Sequence, residues 1–244
     1  MKRILNKCAG IICVTKRMKD ICINDYKINQ AKILVSPDAV DLSVFDIAVS
    51  VDSAKEQLNL PKDKKILVYT GNFTTMGADK GISDILKAIK TLNDRQILFV
   101  AVGGSGRDIE FYKKETKGSG IDKQVLFLGH TFQKELAVYQ KAADILLMPF
   151  PYTEHYAFYM SPLKMFEYMA SKRPIIATDL PSVKEILNED NAFLIFPDNP
   201  QRLAEEIKMV LTNPEQAQKR AQQAFQDVQN YTWEKRTEEI LKFI

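Results

Sequence analysis

Short apolar runs alternate with helix-like segments along most of the chain. Six runs after Lys65 are largely apolar, as expected for parallel strands buried on both faces. They predict strands at 66–70, 96–102, 125–128, 145–148, 174–178 and 193–196. Apolar residues recur at helical spacing between them and predict helices at 82–91, 108–117, 134–142, from Ser161 onward, at 183–187 and at 200–211. This alternation predicts an α/β fold with a doubly wound, Rossmann-like parallel sheet, whose ligands bind beyond the carboxyl ends of the strands.

The two ends of the chain follow different patterns. An apolar run at 9–14, a helical pattern at 15–26 and a second apolar run at 32–35 precede the long alternation. A continuous apolar strand needs neighbours on both edges and cover on both faces. We therefore expect that the chain is a fragment, or that this opening unit packs on a partner or on the chain's own second domain. Helical patterns at 48–60 and 214–244 complete the prediction.

Composition narrows the range of partners. The chain has 244 residues, of which 45% are hydrophobic and 27% charged, enough for a substantial core. A net charge of +3 suits an anionic small molecule or a membrane surface, whereas no basic stripe with interleaved aromatic residues indicates nucleic acid. Three cysteines without a Cys-x-x-Cys pair, and only two histidines, predict neither a disulfide framework nor a metal site.

Cellular location follows from the same features. Cysteines without a disulfide framework favour a reducing cytoplasm. The first residues lack the pattern of a signal peptide, and no apolar stretch is long enough to span a bilayer. We therefore expect a cytoplasmic protein.

The stretch 159–179 carries the leading candidate chemistry. Ser161 and Pro162 suit the start of a helix, as cap and first-turn residue. The free N-terminus of such a helix attracts phosphate through its unpaired N–H groups and its dipole. Lys164 lies in the first turn and Glu167 follows at i+3, so one cation can face a phosphate while one carboxylate faces hydroxyl groups. Spacing alone favours the simpler interpretation, a core helix with a solvated lysine–glutamate pair.

Two glycine-containing loops also follow predicted strands. Gly71 and Asn72 end the first strand of the long alternation, and Lys80 with Gly81 opens the next helix. Glycine lets the backbone approach a phosphate, and lysine supplies a mobile charge, although a solvated lysine is the simpler interpretation. The run 103–106 lacks the third glycine of a dinucleotide-binding fingerprint, and a tight strand-to-helix turn explains it slightly better.

Two more segments place polar or aromatic side chains at strand ends. Gly129 and His130 follow the strand predicted at 125–128, where the histidine is most simply a polar loop residue. The loop 150–160, FPYTEHYAFYM, contains tyrosines and His155, which suit sugar faces and hydroxyl groups. Aromatic residues that cap a sheet edge would give the same pattern.

Several segments, taken in order, resemble the donor-binding domain of family 4 glycosyltransferases, which have the GT-B fold. The segment SPLKMFEYMASKRPIIATDLPSVKE resembles the donor-binding helix of that family. The others are YTGNF with Lys80-Gly81, ILFVAVGGSG, VLFLGH, ADILLMPF, PDNPQRLAEEI and YTWEKR. The resemblance covers nearly the whole chain and implies the C-terminal half of a GT-B fold. It implies that residues 1–45 are the end of an N-terminal acceptor domain plus a linker, 46–230 the nucleotide-sugar-binding domain, and 231–244 a C-terminal helix.

The resemblance also implies roles for single residues. Each part of the donor has its own residues: Lys80, Ser161 and Lys164 bind the diphosphate, Glu167 binds the ribose, Gly129 and His130 contact the base, and His155 and Tyr159 lie beside the sugar. Lys80 and Lys164 are the candidate catalytic cations.

The sequence departs from the family pattern at two of the implied positions. Asn72 follows Gly71 where the family has an arginine on the diphosphate, so stabilisation of the leaving group is weaker or shifted to Lys164. Tyr159 stands where the family often has a carboxylate near the transferred sugar, and Glu154 or His155 is the nearby replacement. The sugar specificity is therefore left open.

The implied function is transfer of a sugar, with retention, from a nucleotide-diphosphate sugar to a sugar or lipid-linked acceptor, in glycan or cell-envelope polysaccharide synthesis. The resemblance implies no metal and no cofactor besides the donor. Two alternatives stay open: a non-catalytic nucleotide-sugar-binding subunit that serves a partner chain, and an unrelated Rossmann-like cofactor binder. We expect self-association or a partner that supplies the acceptor-binding half, and a location that can include the inner face of the membrane.

Overall fold

A six-stranded, fully parallel sheet lies at the centre of the structure, a computed structural model that describes residues 2–75 and 77–244. The strands of the described residues are β1 Ile11–Cys13, β2 Ile33–Val35, β3 Lys65–Thr70, β4 Thr74–Thr75, β5 Ala78–Asp79, β6 Ile97–Val102, β7 Val125–Leu128, β8 Ile145–Met148, β9 Ile175–Thr178 and β10 Phe193–Ile195. The α-helices are α1 Lys2–Lys7, α2 Lys16–Asn24, α3 Leu42–Phe45, α4 Val51–Gln57, α5 Ile82–Leu92, α6 Gly106–Ser119, α7 Gln133–Ala142, α8 Glu154–Phe158, α9 Leu163–Ala170, α10 Pro200–Thr212, α11 Pro214–Val228 and α12 Trp233–Phe243.

The strand order of the large sheet is β10-β9-β8-β3-β6-β7, so the sheet is doubly wound. The chain enters at β3, builds β6 and β7 on one side, and returns to add β8, β9 and β10 on the other. Alternate residues of β3 are buried on opposite faces: Ile66 and Val68 belong to one core, Leu67 and Tyr69 to the other. Burial on both faces explains why these strands are apolar at nearly every position. The predicted fold class is confirmed.

Several predicted boundaries shift in the structure. The helix predicted at 48–60 is the shorter α4, because Ser50 caps it by accepting from a backbone N–H. The helix predicted at 183–187 is a 3₁₀ turn at Val183–Glu185. The loop after β3 contains the hairpin β4–β5, and the aromatic loop contains α8, which Thr153 caps. These short elements depend on single side-chain caps, which hydrophobic periodicity does not detect.

The opening unit packs on the chain's own larger body. Strands β1 and β2 pair in parallel, separate from the large sheet, with Ile11 opposite Ile33. The hydroxyl of Thr15, which caps α2, donates to the carbonyl of Phe158 at the end of α8 (2.8 Å). The next backbone N–H donates to the Glu185 carboxylate (3.0 Å). This is one of the three arrangements that the sequence left open.

The C-terminal helix α12 contacts the opening unit from another side. Ser36 donates to the Glu239 carboxylate (3.0 Å), and Val40 forms an isolated parallel bridge with Thr232. A Cβ at Gly10 would lie 2.7 Å from the Phe243 ring, so only glycine lets this end of α12 approach. The two ends of the sequence are therefore joined in space.

The helices are short. The longest in the described residues, α11, has 15 residues. None of the helices in 2–75 and 77–244 combines the length and apolar character that a membrane crossing requires.

Candidate functional site

The candidate site lies where the sheet changes its winding direction. Strands β3 and β8 are neighbours, but the chain leaves β3 toward one edge of the sheet and leaves β8 toward the other. The segments that follow, 71–75 with 77–81 and 149–162, begin at the carboxyl ends of these two strands and lead toward opposite edges of the sheet. We call the region between their first residues the crevice. Such a switch point is the usual ligand site of a doubly wound sheet.

Gly71 brings the first of these loops against Lys164. Its φ of +107° is in a region that side chains rarely adopt. A Cβ at this position would lie 3.3 Å from Cε and 3.4 Å from Nζ of Lys164. The backbone conformation therefore favours glycine here, and a side chain at this position would press on the end of Lys164.

Lys164 is buried in the first turn of α9, and only 7% of the residue is exposed. Its ammonium nitrogen lies 3.5 Å from the ring centroid of Tyr69 and has no hydrogen-bond partner within the described residues. Burial, and then the nearby Lys80, lower the pKa of Lys164 well below its usual value, against the opposing effect of Glu167. The interpretation of a solvated lysine–glutamate pair is wrong. A buried ammonium group without a hydrogen-bond partner is instead a candidate site for binding an anion.

Lys80 approaches the same place from the other loop. Its Nζ lies 5.7 Å from the Phe150 ring centroid, and Nζ of Lys164 lies 5.4 Å from the same ring. Burial lowers the pKa of Lys80. Neither lysine forms an ion pair with a carboxylate within the described residues. Both ammonium groups lie near the Phe150 ring. Such an arrangement attracts a doubly charged anion.

Asp79 positions the Lys80 loop and was not among the residues predicted from the sequence. The Asp79 carboxylate accepts from the backbone N–H of Gly81 and from the Ser83 hydroxyl (3.0 Å), and so holds the start of α5. A Cβ at Gly81 would lie 2.0 Å from the carbonyl oxygen of Pro149. The loop therefore packs directly against the end of β8. An acidic residue just before a helix start was the signal that could have revealed this contact.

Glu167 lies one turn after Lys164 and is 9% exposed. Its carboxylate accepts from the Nε2 amide of Gln140 on α7 (3.0 Å). Burial raises the pKa of Glu167, while the Gln140 hydrogen bond and Lys164 lower it. Gln140 was not among the sequence candidates, because a glutamine in an amphipathic helix gives no signal of its own.

Ser161 does not cap α9. Its hydroxyl oxygen instead accepts from the backbone N–H of Asp38 in the linker (2.8 Å). Pro162 occupies the N-cap position and forms no side-chain cap, so the prediction is wrong for both residues. Since no side chain caps it, the N-terminus of α9 is left open toward the crevice, as the candidate site requires.

The glycine run 103–106 makes a tight turn instead of a phosphate loop. A Cβ at Gly104 would lie 2.3 Å from the Phe73 ring, which explains the glycine by packing. The following helix α6 is closed by a capping box between Ser105 and Asp108. The capping box satisfies the N–H groups of Ser105 and Asp108, and those of Gly103 and Gly104 donate to carbonyls at 128–129. These N–H groups are therefore not free to bind the phosphates of a dinucleotide.

Gly129 and His130 lie exposed beyond β7, beside that turn. The backbone N–H of Gly103 donates to the carbonyl of Gly129 (3.1 Å). Gly129 and His130, the two predicted base contacts, thus lie at the carboxyl ends of the strands, as the two lysines do.

The aromatic loop lies on the side of the crevice that faces the opening unit. Tyr159 donates to the Glu154 carboxylate (2.8 Å), and this hydrogen bond is the main reason why its pKa is raised. His155 is exposed. Asn72, on the opposite loop, is also exposed and accepts from the Tyr69 hydroxyl through its carbonyl (2.8 Å).

A cavity lies where the opening unit meets α12, next to the contact between Ser161 and Asp38. It has a volume of about 520 Å³. Its charged lining residues are Lys16, Lys235 and Arg236, with Asp38, Glu185 and Glu239. Cations and carboxylates are balanced, and several pair with one another or with the backbone, so this cavity offers no counterpart to the two converging lysines.

Solved glycosyltransferase structures share this fold. A glycosyltransferase from Rickettsia africae superposes with a TM-score of 0.83 at 20% identity, covering 99% of this chain and 65% of the other. Anabaena HepE in complex with UDP-glucose superposes with a TM-score of 0.80 at 16% identity, covering 98% of this chain and 65% of the other. The predicted likeness to the C-terminal half of GT-B glycosyltransferases is confirmed at the level of the fold.

Sequence comparison leads to the same group of proteins. The putative teichuronic acid biosynthesis glycosyltransferase TuaC of Bacillus subtilis is 25% identical over 208 residues, which cover 84% of this chain and 48% of that protein. This chain spans about half the length of the curated relatives it matches. The family described as glycosyl transferases group 1 matches residues 50–227. The chain therefore belongs to the glycosyl transferases group 1 family.

Proposed function

We propose that this chain is the donor-binding half of a retaining glycosyltransferase and that it binds a nucleotide-diphosphate sugar in the β3–β8 crevice. The observation that carries the proposal is the buried, unpartnered ammonium group of Lys164 beside Gly71 and within reach of the loop that bears Lys80. The HepE structure, which contains UDP-glucose, supports the choice of ligand class. In this proposal the donor is the sole small-molecule requirement, with no metal and no further cofactor.

The proposed chemistry is stabilisation of a leaving diphosphate. As the bond between the sugar and the diphosphate breaks, negative charge grows on the departing oxygen. Lys164, Lys80 and the open N-terminus of α9 are positioned to neutralise it in a partly dehydrated site. The acceptor oxygen bonds to the anomeric carbon on the face that the diphosphate leaves, and the hydroxyl proton passes to the departing phosphate.

The remaining assignments are those that the family resemblance implies. Glu167 accepts hydrogen bonds from the ribose. The exposed backbone at Gly129 and His130 meets the base. His155 and Tyr159 lie on the sugar side. Ser161 acts through its bond to the linker instead of through a helix cap, and thereby connects the opening unit to the diphosphate-binding helix.

None of the residues assigned to the donor site is assigned to the acceptor. We divide the chain into an opening unit with linker at 1–45, a donor-binding domain at 46–230 and a terminal helix at 231–244. Orientation of two reactants contributes on the order of 7–11 kcal/mol in favourable group transfers. We therefore expect nucleotide binding and at most slow donor hydrolysis from these 244 residues. Transfer to a sugar or lipid-linked acceptor, as in the synthesis of an envelope polysaccharide, should need an acceptor-binding half.

Calorimetry on the purified chain tests the proposal. UDP, GDP, ADP and their sugars are titrated into the wild type and into Glu167→Gln and Lys80→Ala variants. We expect Glu167→Gln to weaken nucleoside diphosphates but not inorganic diphosphate. Lys80→Ala should lower the affinity for nucleoside diphosphates and for inorganic diphosphate, since it removes a charge-assisted contact of about 1.5–3 kcal/mol.

The matched control is Lys134→Met, which removes an exposed cation from α7. It should bind like the wild type. If no nucleoside diphosphate binds, or if Lys80→Ala and Lys134→Met behave alike, the assigned site is wrong. Rapid transfer to a defined acceptor by the strictly monomeric chain would contradict the need for a second half.

A further inference from the structure

Gln140 is a fully buried amide that connects α7 to the candidate site. It has no exposed surface. Its Nε2 group donates to Oε2 of Glu167 (3.0 Å) and to the hydroxyl of Thr70 at the end of β3 (3.2 Å). Its Oε1 is buried without a hydrogen-bond partner in the described residues, so the two contacts of Nε2 are the ones that position the amide.

The anchor at Thr70 is itself held in place. The backbone N–H of Thr70 donates to the hydroxyl of Tyr168 (2.8 Å), which neighbours Glu167 in α9. Tyr168 is fully buried. The amide of Gln140 is therefore positioned between the central strand β3 and the helix that carries Glu167.

The contact occupies one oxygen of the Glu167 carboxylate. Within residues 2–75 and 77–244, Gln140 is the one side chain that donates to it. The amide occupies Oε2, and no donor within the described residues bonds to Oε1, which is left for a ligand. An N–H donor also favours the ionised carboxylate, which only accepts hydrogen bonds and so suits two hydroxyl groups of a ligand.

Building on the proposed function, we propose that Gln140 is a positioning residue that orients Glu167 toward the ribose hydroxyls and so makes the site selective for ribonucleotides. Without the amide, the buried carboxylate loses its fixed orientation. Contacts to the diphosphate do not pass through Gln140, because its side-chain hydrogen bonds go to Thr70 and Glu167, and neither Lys80 nor Lys164 bonds to it within the described residues. The effect of losing Gln140 should therefore be confined to recognition of the ribose.

The test compares three ligands: UDP, 2′,3′-dideoxyuridine diphosphate and inorganic diphosphate. Calorimetry gives the affinity of each for the wild type, Gln140→Met, Glu167→Gln and the double variant. Methionine keeps the side-chain length but removes the donor. We expect the wild type to prefer UDP over the dideoxy compound by at least roughly tenfold, as one charge-assisted hydrogen bond provides. Gln140→Met should remove most of this preference and leave the affinity for inorganic diphosphate within about twofold.

The double variant separates positioning from general stability. If Gln140 acts through Glu167, Gln140→Met should change nothing further once Glu167 is glutamine. Gln133→Met makes the same substitution at an exposed position of α7 and should keep the full preference. Gln140→Asn provides a second variant, because it retains the polar group but is too short to reach Glu167, and it should also lose the preference.

The outcomes distinguish the two proposals. If Glu167→Gln loses the ribose preference while Gln140→Met and Gln140→Asn retain it, the positioning role is wrong and the ribose assignment stands. If Glu167→Gln also retains it, both are wrong. If the wild type binds none of the three ligands, the proposed function fails. Unchanged affinity of the Gln140 variants for inorganic diphosphate shows that they are folded.

Discussion

Replacing Lys164 with methionine should stabilise the unliganded chain and severely weaken diphosphate binding. In the free chain, the ammonium group is buried and unpartnered, and a buried donor in that state costs about 1–3 kcal/mol. The Tyr69 ring at 3.5 Å offsets part of this cost through a cation–π contact of about 0.5–2 kcal/mol. Methionine has a similar length and no charge. A net gain of about 1 kcal/mol shifts the melting temperature by roughly 2–4 °C in a chain of this size.

The gain in stability from Lys164→Met should depend on pH, and the lowered pKa of Lys164 sets its direction. Burial lowers the pKa of Lys164 in the folded chain well below 10.5, the ordinary value that the unfolded chain retains. Between the two pKa values the unfolded chain binds one more proton. The free energy of unfolding of the wild type therefore rises with pH in this window, by about 1.4 kcal/mol per pH unit from this group. The advantage of methionine should be largest below the lowered pKa and should shrink as pH rises toward 10.5.

Lys164→Met should weaken diphosphate binding although it stabilises the free chain. Loss of one charge-assisted contact of about 1.5–3 kcal/mol weakens inorganic diphosphate roughly 10- to 150-fold. Thermal unfolding across pH, with and without diphosphate, measures both effects, and Lys134→Met serves as the exposed control. If Lys164→Met is less stable than the wild type at every pH, or binds diphosphate equally well, the interpretation of Lys164 as an unsatisfied, anion-seeking cation is refuted.

Three further substitutions test other contacts. Gly71→Ala should cost about 1–2 kcal/mol, from the φ of +107°, and should weaken diphosphate by displacing Lys164; calorimetry and thermal unfolding check both. Lys55→Met should cost on the order of 2–3 kcal/mol in denaturant unfolding, somewhat less than for a fully buried ion pair, because its partner Asp144 at 2.9 Å retains 18% exposure. Thr15→Val removes the cap of α2 and the bond to α8, and should increase amide exchange in α2 while leaving β3 protected. Unchanged exchange in α2 would contradict that coupling.

Local pattern determined much of the fold. Continuous apolar runs predicted all six strands of the large sheet, because strands buried on both faces must be apolar at nearly every position. Helical spacing located the long helices between them. The position of Lys80 and Lys164 at the starts of helices was also readable from the sequence, because each follows a strand by way of a loop with Gly or Pro.

Tertiary structure alone decided the chemistry of those residues. The i+3 spacing of Lys164 and Glu167 is the same in a solvated helix and in a buried one, whereas desolvation depends on α9 lying against β3 and β8. The bond from Ser161 to Asp38 spans 123 residues, and that from Gln140 to Thr70 spans 70. Contacts at such separations depend on which strands become neighbours, and hydrophobic periodicity carries no information about strand order. The sequence alone therefore determined the strands of the large sheet and the long helices. The order of those strands decided which charged groups are buried away from water.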